Sequence, residues 1–208
     1  MNLSALNIRK VSLASFFAVI LGILLLTALA PAEKTLGGNA RIVYLHGAWV
    51  WAALITILAA AVAGLVALVT RQMELHYWSR ALGRVGTLFW ITFLPMSLIA
   101  METNWNGLFL AEPRWRMAFV FAVTGILLQL GLSLLEPIWS SICNLAYGGA
   151  LLFSILGAEN VMHPASPIRN SSSIAIQLFF ISLLGMILLL AGLVTSWLLK
   201  LEFSRSKG

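Results

Sequence analysis

The strongest constraint on this chain is the placement of its charged residues, which leave six long runs free of charge. A helix of about 20 apolar residues crosses the hydrocarbon core of a membrane, and each run fits one crossing. We therefore predict an all-α, polytopic membrane protein, a single domain (1–208) built as a bundle of six transmembrane helices. The runs are 11–32, 42–70, 85–101, 117–135, 137–158 and 170–199.

The residues that flank these runs indicate where each predicted span begins or ends. Asn170 and the three serines after it favour a helix that starts behind them. Only Glu136 separates runs four and five, so we expect Pro137 to open the fifth helix after a tight turn. The first run follows two basic residues and also resembles a signal peptide, but its length favours a retained helix. The predicted spans are approximately 11–32, 46–70, 85–101, 115–135, 137–158 and 174–199.

The composition excludes the soluble classes of protein. Only 10% of the 208 residues are charged and 61% are hydrophobic, whereas about a quarter of the residues of a soluble domain are charged. The net charge of +6 comes from scattered basic residues, so we predict a lipid bilayer as partner and no nucleic acid. The single cysteine, Cys143, cannot form an internal disulfide.

The basic residues also predict the orientation, because cytoplasmic loops are enriched in Lys and Arg. With both termini on the inner side, that side carries eight basic residues and the outer side carries five. We therefore predict that both termini are cytoplasmic. The inner set is Arg9, Lys10, Arg71, Arg80, Arg84, Lys200, Arg205 and Lys207, and the outer set is Lys34, Arg41, Arg114, Arg116 and Arg169.

The predicted topology brings two of the three histidines to one side of the membrane. His46 opens the second span, and four crossings separate it from His163, so both lie on the outer side. The loop between Trp105 and Arg116 is two crossings from His46 and faces the same way. His76 lies on the opposite side, where we expect a solvated residue of a cytoplasmic loop.

Two neutral imidazoles suit the two axial positions of a haem iron. A porphyrin would pack against aromatic and aliphatic side chains, and its propionates would seek arginines. The absence of a C-x-x-C-H motif excludes c-type covalent attachment, and nothing in the sequence resembles a zinc site. The arginines predicted on the outer side are Arg41, Arg114, Arg116 and Arg169.

A simpler interpretation of the same residues stays open. Interfacial histidines are often only polar residues at the membrane boundary, and tryptophans anchor helices there. The absence of Lys, Asp and Glu from the apolar cores argues against a proton-coupled pump, and no intramembrane protease motif occurs. The candidate anchors are Trp49, Trp51, Trp90, Trp105, Trp115 and Trp139.

Over nearly its whole length the chain resembles the haem-handling proteins of cytochrome c biogenesis, the CcmC type in particular. The pattern at the first histidine of that family is H-x-P-x-A-W. His46 and Trp51 match its histidine and tryptophan, and Ala48 stands in place of the proline. At the second histidine the family reads N-T-L-H, and Asn160 and His163 keep that spacing.

The family also carries a tryptophan-rich WWD segment, W-G-x-W-W-x-W-D-x-R, between spans three and four. Trp105 and Arg114 match its first tryptophan and its arginine, and Glu112 replaces the aspartate. The remaining differences are Asn106 for the glycine, and Leu108, Phe109 and Ala111 for three tryptophans.

The resemblance implies a haem-delivery protein of the bacterial cytoplasmic (inner) membrane, and not an enzyme. It implies non-covalent haem b at the outer face, with His46 and His163 as axial ligands, passed on to a periplasmic haem chaperone. The expected further haem contacts are Trp51, Trp105 and Phe109, while Glu112 and Arg114 order the loop or meet a propionate.

The resemblance also implies partners, namely the haem chaperone and the subunits of an ATP-binding-cassette (ABC) exporter that releases it. Two alternatives stay open. One is a six-span permease subunit of that exporter, and the other is a divergent structural membrane subunit without a cofactor.

Overall fold

The computed structural model describes residues 13–159, 168 and 171–205, and the long elements in these ranges are all helices. Five of them, α2 to α6, are long and apolar enough to cross a membrane. The described part of α1 is apolar but has only 16 residues. These findings confirm the all-α class and a multi-pass membrane protein. The helices are α1 (Leu13–Ala28), α2 (Ala40–Thr70), α3 (Met73–Trp105), α4 (Pro113–Leu132), α5 (Pro137–Leu156) and α6 (Ile174–Arg205).

The helices extend beyond several predicted spans. Helix α3 begins at Met73 instead of residue 85, because its charged residues are accommodated inside the helix. Arg80 and Arg84 both pair with Glu202 of α6, so these charges do not mark a helix boundary. Helix α2 begins at Ala40 instead of residue 46. The first predicted span starts outside the described residues, and its helix ends before residue 32.

Helix α2 lies at the centre of the bundle, packed along α3 and α5 and against α6. Helix α1 lies at one edge, mainly against α6, and α4 lies at the other edge, against α3 and α5. Glycines allow the central helices to approach closely, as small residues do between membrane helices. A Cβ on Gly86 would lie 2.6 Å from Ile57 Cγ1, and one on Gly64 would lie 2.7 Å from the Ser141 carbonyl oxygen.

Helices α2 and α3 form an antiparallel pair whose register two hydrogen bonds define. Asn39 Nδ2 donates to the carbonyl oxygen of Thr103 at 2.8 Å, and Trp49 Nε1 donates to Thr92 Oγ1 at 2.9 Å. The connections α1–α2 and α3–α4 therefore share one end of the bundle, and Ile168 of the α5–α6 connection lies beside Gly47 at the same end. Following the predicted orientation, we call it the outer end, and the opposite end the inner end.

Candidate functional site

His46 lies in the second turn of α2 at the outer end, half-buried against aromatic side chains of α3. Its ring is tilted against Phe93 of α3, with the ring centroids 5.8 Å apart. One turn further along α2, Trp49 stacks on Phe89 with centroids 5.0 Å apart. The imidazole therefore borders apolar ring surface, which suits the face of a porphyrin.

The α5–α6 connection, which carries the second predicted ligand, reaches the same turn of α2. A Cβ on Gly47 would lie 3.4 Å from Phe180 Cε2 and 3.9 Å from Ile168 Cδ1. Ile168 belongs to this connection and is buried. His163 lies outside the described residues, as do Asn160 and Arg169.

The α3–α4 loop keeps one aromatic pair at the outer end. Trp105 is the last residue of α3, and Asn106 ends the helix in the left-handed conformation with φ at 55°, which asparagine tolerates. Phe109 packs edge-on against Trp105, with centroids 5.7 Å apart. Leu108, Phe109 and Ala111 are all exposed, so the three positions at which the resembled family has tryptophan face outward.

Glu112 is buried and caps α4. Its Oε2 accepts a hydrogen bond from the backbone N–H of Trp115 at 2.6 Å, and Pro113 follows in the first turn. This contact satisfies one of the free N–H groups at a helix start, so Glu112 orders the junction between the loop and α4. Arg114 and Arg116 follow in the same turn, and both are exposed. The loop is therefore shorter than predicted and ends at Glu112.

The predicted contacts lie at different depths. The α2–α3 register places His46 level with residues 95–96 of α3. At 1.5 Å per residue, Trp105 lies about 14 Å further out along α3. Trp51 lies roughly 140° around α2 from His46 and is 54% exposed. The structure thus brings His46 and the α5–α6 connection together. The Trp105–Phe109 pair lies further out along α3, and Trp51 lies on another face of α2.

Several buried polar atoms at the outer end have no hydrogen-bond partner among the described residues. They are Tyr44 Oη, Asn104 Oδ1, Glu112 Oε1 and Trp115 Nε1. Buried polar groups are normally paired. The Tyr44 hydroxyl and the Trp115 indole N–H can donate to a carboxylate such as a propionate, whereas Asn104 Oδ1 and Glu112 Oε1 only accept and would need a donor. No group of three or more His, Cys, Asp or Glu side chains in the described ranges could hold a bare metal ion.

The α1–α2 loop at the outer end is ordered by Glu33. The Glu33 carboxylate accepts hydrogen bonds from the backbone N–H groups of Leu36 at 2.9 Å and Thr35 at 2.7 Å. These bonds, that from Leu36 first, hold the pKa of Glu33 below its usual value, because they stabilise the charged form.

The prediction for His76 was wrong. It lies inside α3 at the inner end, is only 4% exposed, and its Nδ1 is 2.6 Å from Ser141 Oγ of α5. The error arose because α3 starts at Met73, so the segment expected to be a loop is helical and packed against α5.

Sequence reasoning also missed a buried polar cluster around His76. Arg80 Nε donates to Ser140 Oγ at 2.9 Å, and its Nη2 donates to the carbonyl oxygen of Leu135. Glu202 pairs with both Arg80 and Arg84. Arginines four residues apart share one helix face, and this spacing was the available signal that the two side chains point to a common partner.

Comparison of the sequence with models of known protein families gives no match, and comparison with curated proteins gives none either. The resemblance to the CcmC type therefore stays a prediction. It rests on the motifs around His46, Trp105 and His163.

Proposed function

We propose that this protein binds haem b non-covalently at the outer end and delivers it to a periplasmic haem chaperone. The observation that supports this best is the position of His46. Its imidazole borders Phe93, while the neighbouring Gly47 meets Ile168 of the α5–α6 connection, which carries His163. In this proposal His46 and His163 would hold the iron through their imidazole nitrogens.

The remaining residues divide into an apolar set and a polar set. The Trp105–Phe109 pair offers ring surface to the porphyrin, which apolar burial stabilises by about 25 cal/mol per Å². The exposed guanidinium groups of Arg114 and Arg116 suit the propionates, since charge-assisted hydrogen bonds to carboxylates are strong. Glu112 holds the start of α4 and so positions both arginines.

Delivery requires the ligand to be reachable from outside the membrane. The α3–α4 loop is exposed at Leu108 and Leu110 and partly at Phe109, so a partner can approach a porphyrin held beneath it. The iron, when bound, supplies coordination chemistry, and the protein supplies capture and release without making bonds in a substrate. The proposed partners are the haem chaperone and the ABC exporter subunits, and the proposed location is the bacterial cytoplasmic (inner) membrane.

The test is the haem-to-protein ratio of the full chain after detergent washing. We expect His46→Ala and His163→Ala each to lower it several-fold, because each removes an axial ligand. His76→Gln is the matched control, since glutamine can still hydrogen-bond Ser141 at the inner end. A ratio that falls only in the His76 variant contradicts the proposal.

One observation favours the alternative of a structural subunit without a cofactor, namely the residues that stand in place of tryptophan in the α3–α4 loop. Leu108 and Ala111 are exposed, and they offer a porphyrin less surface than tryptophan. That alternative, like a permease subunit, predicts a colourless purified protein whose stability does not change when haem is added.

A further inference from the structure

A buried line of polar side chains runs between α3, α4 and α5, from the inner end toward the middle of the bundle. We call it the polar seam. It comprises Ser79 and Thr87 of α3, Gln129 of α4, and Asn144 and Tyr147 of α5.

The lower half of the polar seam is hydrogen-bonded. Asn144 Nδ2 donates to the carbonyl oxygen of Ser79 at 2.8 Å. Gln129 Nε2 donates to Asn144 Oδ1 at 2.9 Å. The absence of a side chain on Gly83 makes room for the Asn144 amide. The three helices therefore meet at Asn144.

In the upper half of the polar seam, Thr87 and Tyr147 pack against Gly125 of α4, which lies one turn above Gln129. A Cβ on Gly125 would lie 2.7 Å from Tyr147 Oη and 3.1 Å from Thr87 Cγ2. The Tyr147 hydroxyl donates to the carbonyl oxygen of Phe121 at 2.7 Å. Thr87 and Tyr147 thus face the same point on α4, next to the turn that carries the Gln129 side chain.

Two oxygens of the polar seam have no hydrogen-bond partner in the described part of the chain, namely Thr87 Oγ1 and Gln129 Oε1. Both atoms are buried, and Thr87 is only 4% exposed. Buried polar groups without a partner are costly, and they are more so in the hydrocarbon region, where no bulk water can satisfy them. The two groups lie on the facing helices α3 and α4, about one turn apart, and one small polar molecule between them would give both a partner.

We propose that the polar seam binds a water molecule that bridges Thr87 Oγ1 and Gln129 Oε1. Buried waters typically make about three hydrogen bonds, and the free lone pair of Tyr147 Oη offers the third. Water fits this site better than a metal cation, because none of the three contacting groups carries a charge that would offset that of a buried cation. The water joins α4 to α3 and α5, the two helices against which this edge helix packs. The inference does not depend on haem binding.

Hydroxyl-radical labelling by X-ray pulses, read by mass spectrometry on the full chain in detergent, tests the proposal. Radicals form from water, so a buried side chain is labelled when a water molecule lies beside it. We expect labelling at Tyr147, and at least several-fold less at Trp90. Trp90 is the control because it is also a buried, reactive aromatic residue of this interface, with its Nε1 donating to the carbonyl oxygen of Ala118.

Variants link the labelling to the proposed ligands. Thr87→Val and Gln129→Leu should each lower the labelling of Tyr147 several-fold, while Thr87→Ser, which keeps the hydroxyl, should preserve it. Thr56→Val is the matched control, since the buried Thr56 hydroxyl already donates to the carbonyl oxygen of Ala52 at 2.7 Å. Labelling of Tyr147 no faster than that of Trp90, or labelling unchanged in Thr87→Val, would overturn the proposal.

Discussion

The imidazole Nδ1 of His76 lies 2.6 Å from the hydroxyl oxygen of Ser141, and both side chains are buried between α3 and α5. One turn along α3, Arg80 hydrogen-bonds the adjacent Ser140. Hydrogen bonds between polar side chains help to hold membrane helices together. The inner ends of α3 and α5 are therefore joined by two neighbouring polar contacts.

The His76–Ser141 contact predicts a specific mutational pattern. His76→Leu leaves the buried Ser141 hydroxyl without this partner and should destabilise the protein by about 1–3 kcal/mol. Adding Ser141→Ala to it should recover part of that loss, because both polar groups are then removed. The measurement is reversible unfolding in detergent. Equal stability of His76→Leu and the wild-type protein would show that this contact contributes nothing.

The ion pairs of Glu202 should be the most sensitive charged contacts at the inner end. Glu202→Gln leaves Arg80 and Arg84 without their shared counter-charge, and breaking a buried pair from one side costs about 3–5 kcal/mol. Glu136→Gln is the matched control, since Glu136 is exposed and makes no side-chain capping bond. The same unfolding measurement compares the two variants, and similar losses in both would contradict the structure.

The fold could be predicted from the sequence because a helix that crosses a membrane needs about 20 residues without charge, and such runs are visible in the sequence. The start of α5 at Pro137 was predicted correctly for a local reason, the preference of proline for the first helical turn. The inner part of α3 was not predictable in this way. Arg84 meets its partner Glu202 118 residues away. The four-residue spacing of Arg80 and Arg84 puts both on one helix face, but it does not identify that partner.

The candidate site was predictable in outline but not in detail. Counting crossings placed His46 and the α3–α4 loop at one end, and the structure agrees. Trp51 follows His46 by five residues, and this spacing does not bring the two side chains together. Five residues turn a side chain by about 140° around the helix axis. The capping role of Glu112 had a local signal in the Pro113 that follows it.

Topology can be tested at exposed positions of the two ends. In a Cys143→Ala background, Leu110→Cys should react with an impermeant maleimide added outside intact spheroplasts. Met73→Cys should react only after the membrane is opened, because it lies at the inner end. Both side chains are about half exposed, so access is matched. Labelling of both positions from the same side would contradict the alternating arrangement of the helices.

Restoring aromatic surface to the α3–α4 loop should strengthen haem retention. Leu108→Trp and Ala111→Trp add apolar area at exposed positions, and each additional 50 Å² buried against the ring stabilises binding by about 1 kcal/mol. Arg114→Ala should weaken retention if Arg114 meets a propionate. Leu134→Trp, in the exposed α4–α5 turn at the inner end, is the control. Haem-to-protein ratios that stay unchanged in all three loop variants would remove the loop from the binding site.

The most direct test of the haem proposal is imidazole rescue, followed in the absorption and electron paramagnetic resonance spectra of the haem-loaded protein. We predict a low-spin ferric haem with two histidine ligands in the wild-type protein. His46→Gly and His163→Gly should each lose that signature and regain it when free imidazole is added, while His76→Gln keeps it. A low-spin spectrum that persists in both glycine variants without imidazole would contradict the assignment of His46 and His163 as the iron ligands.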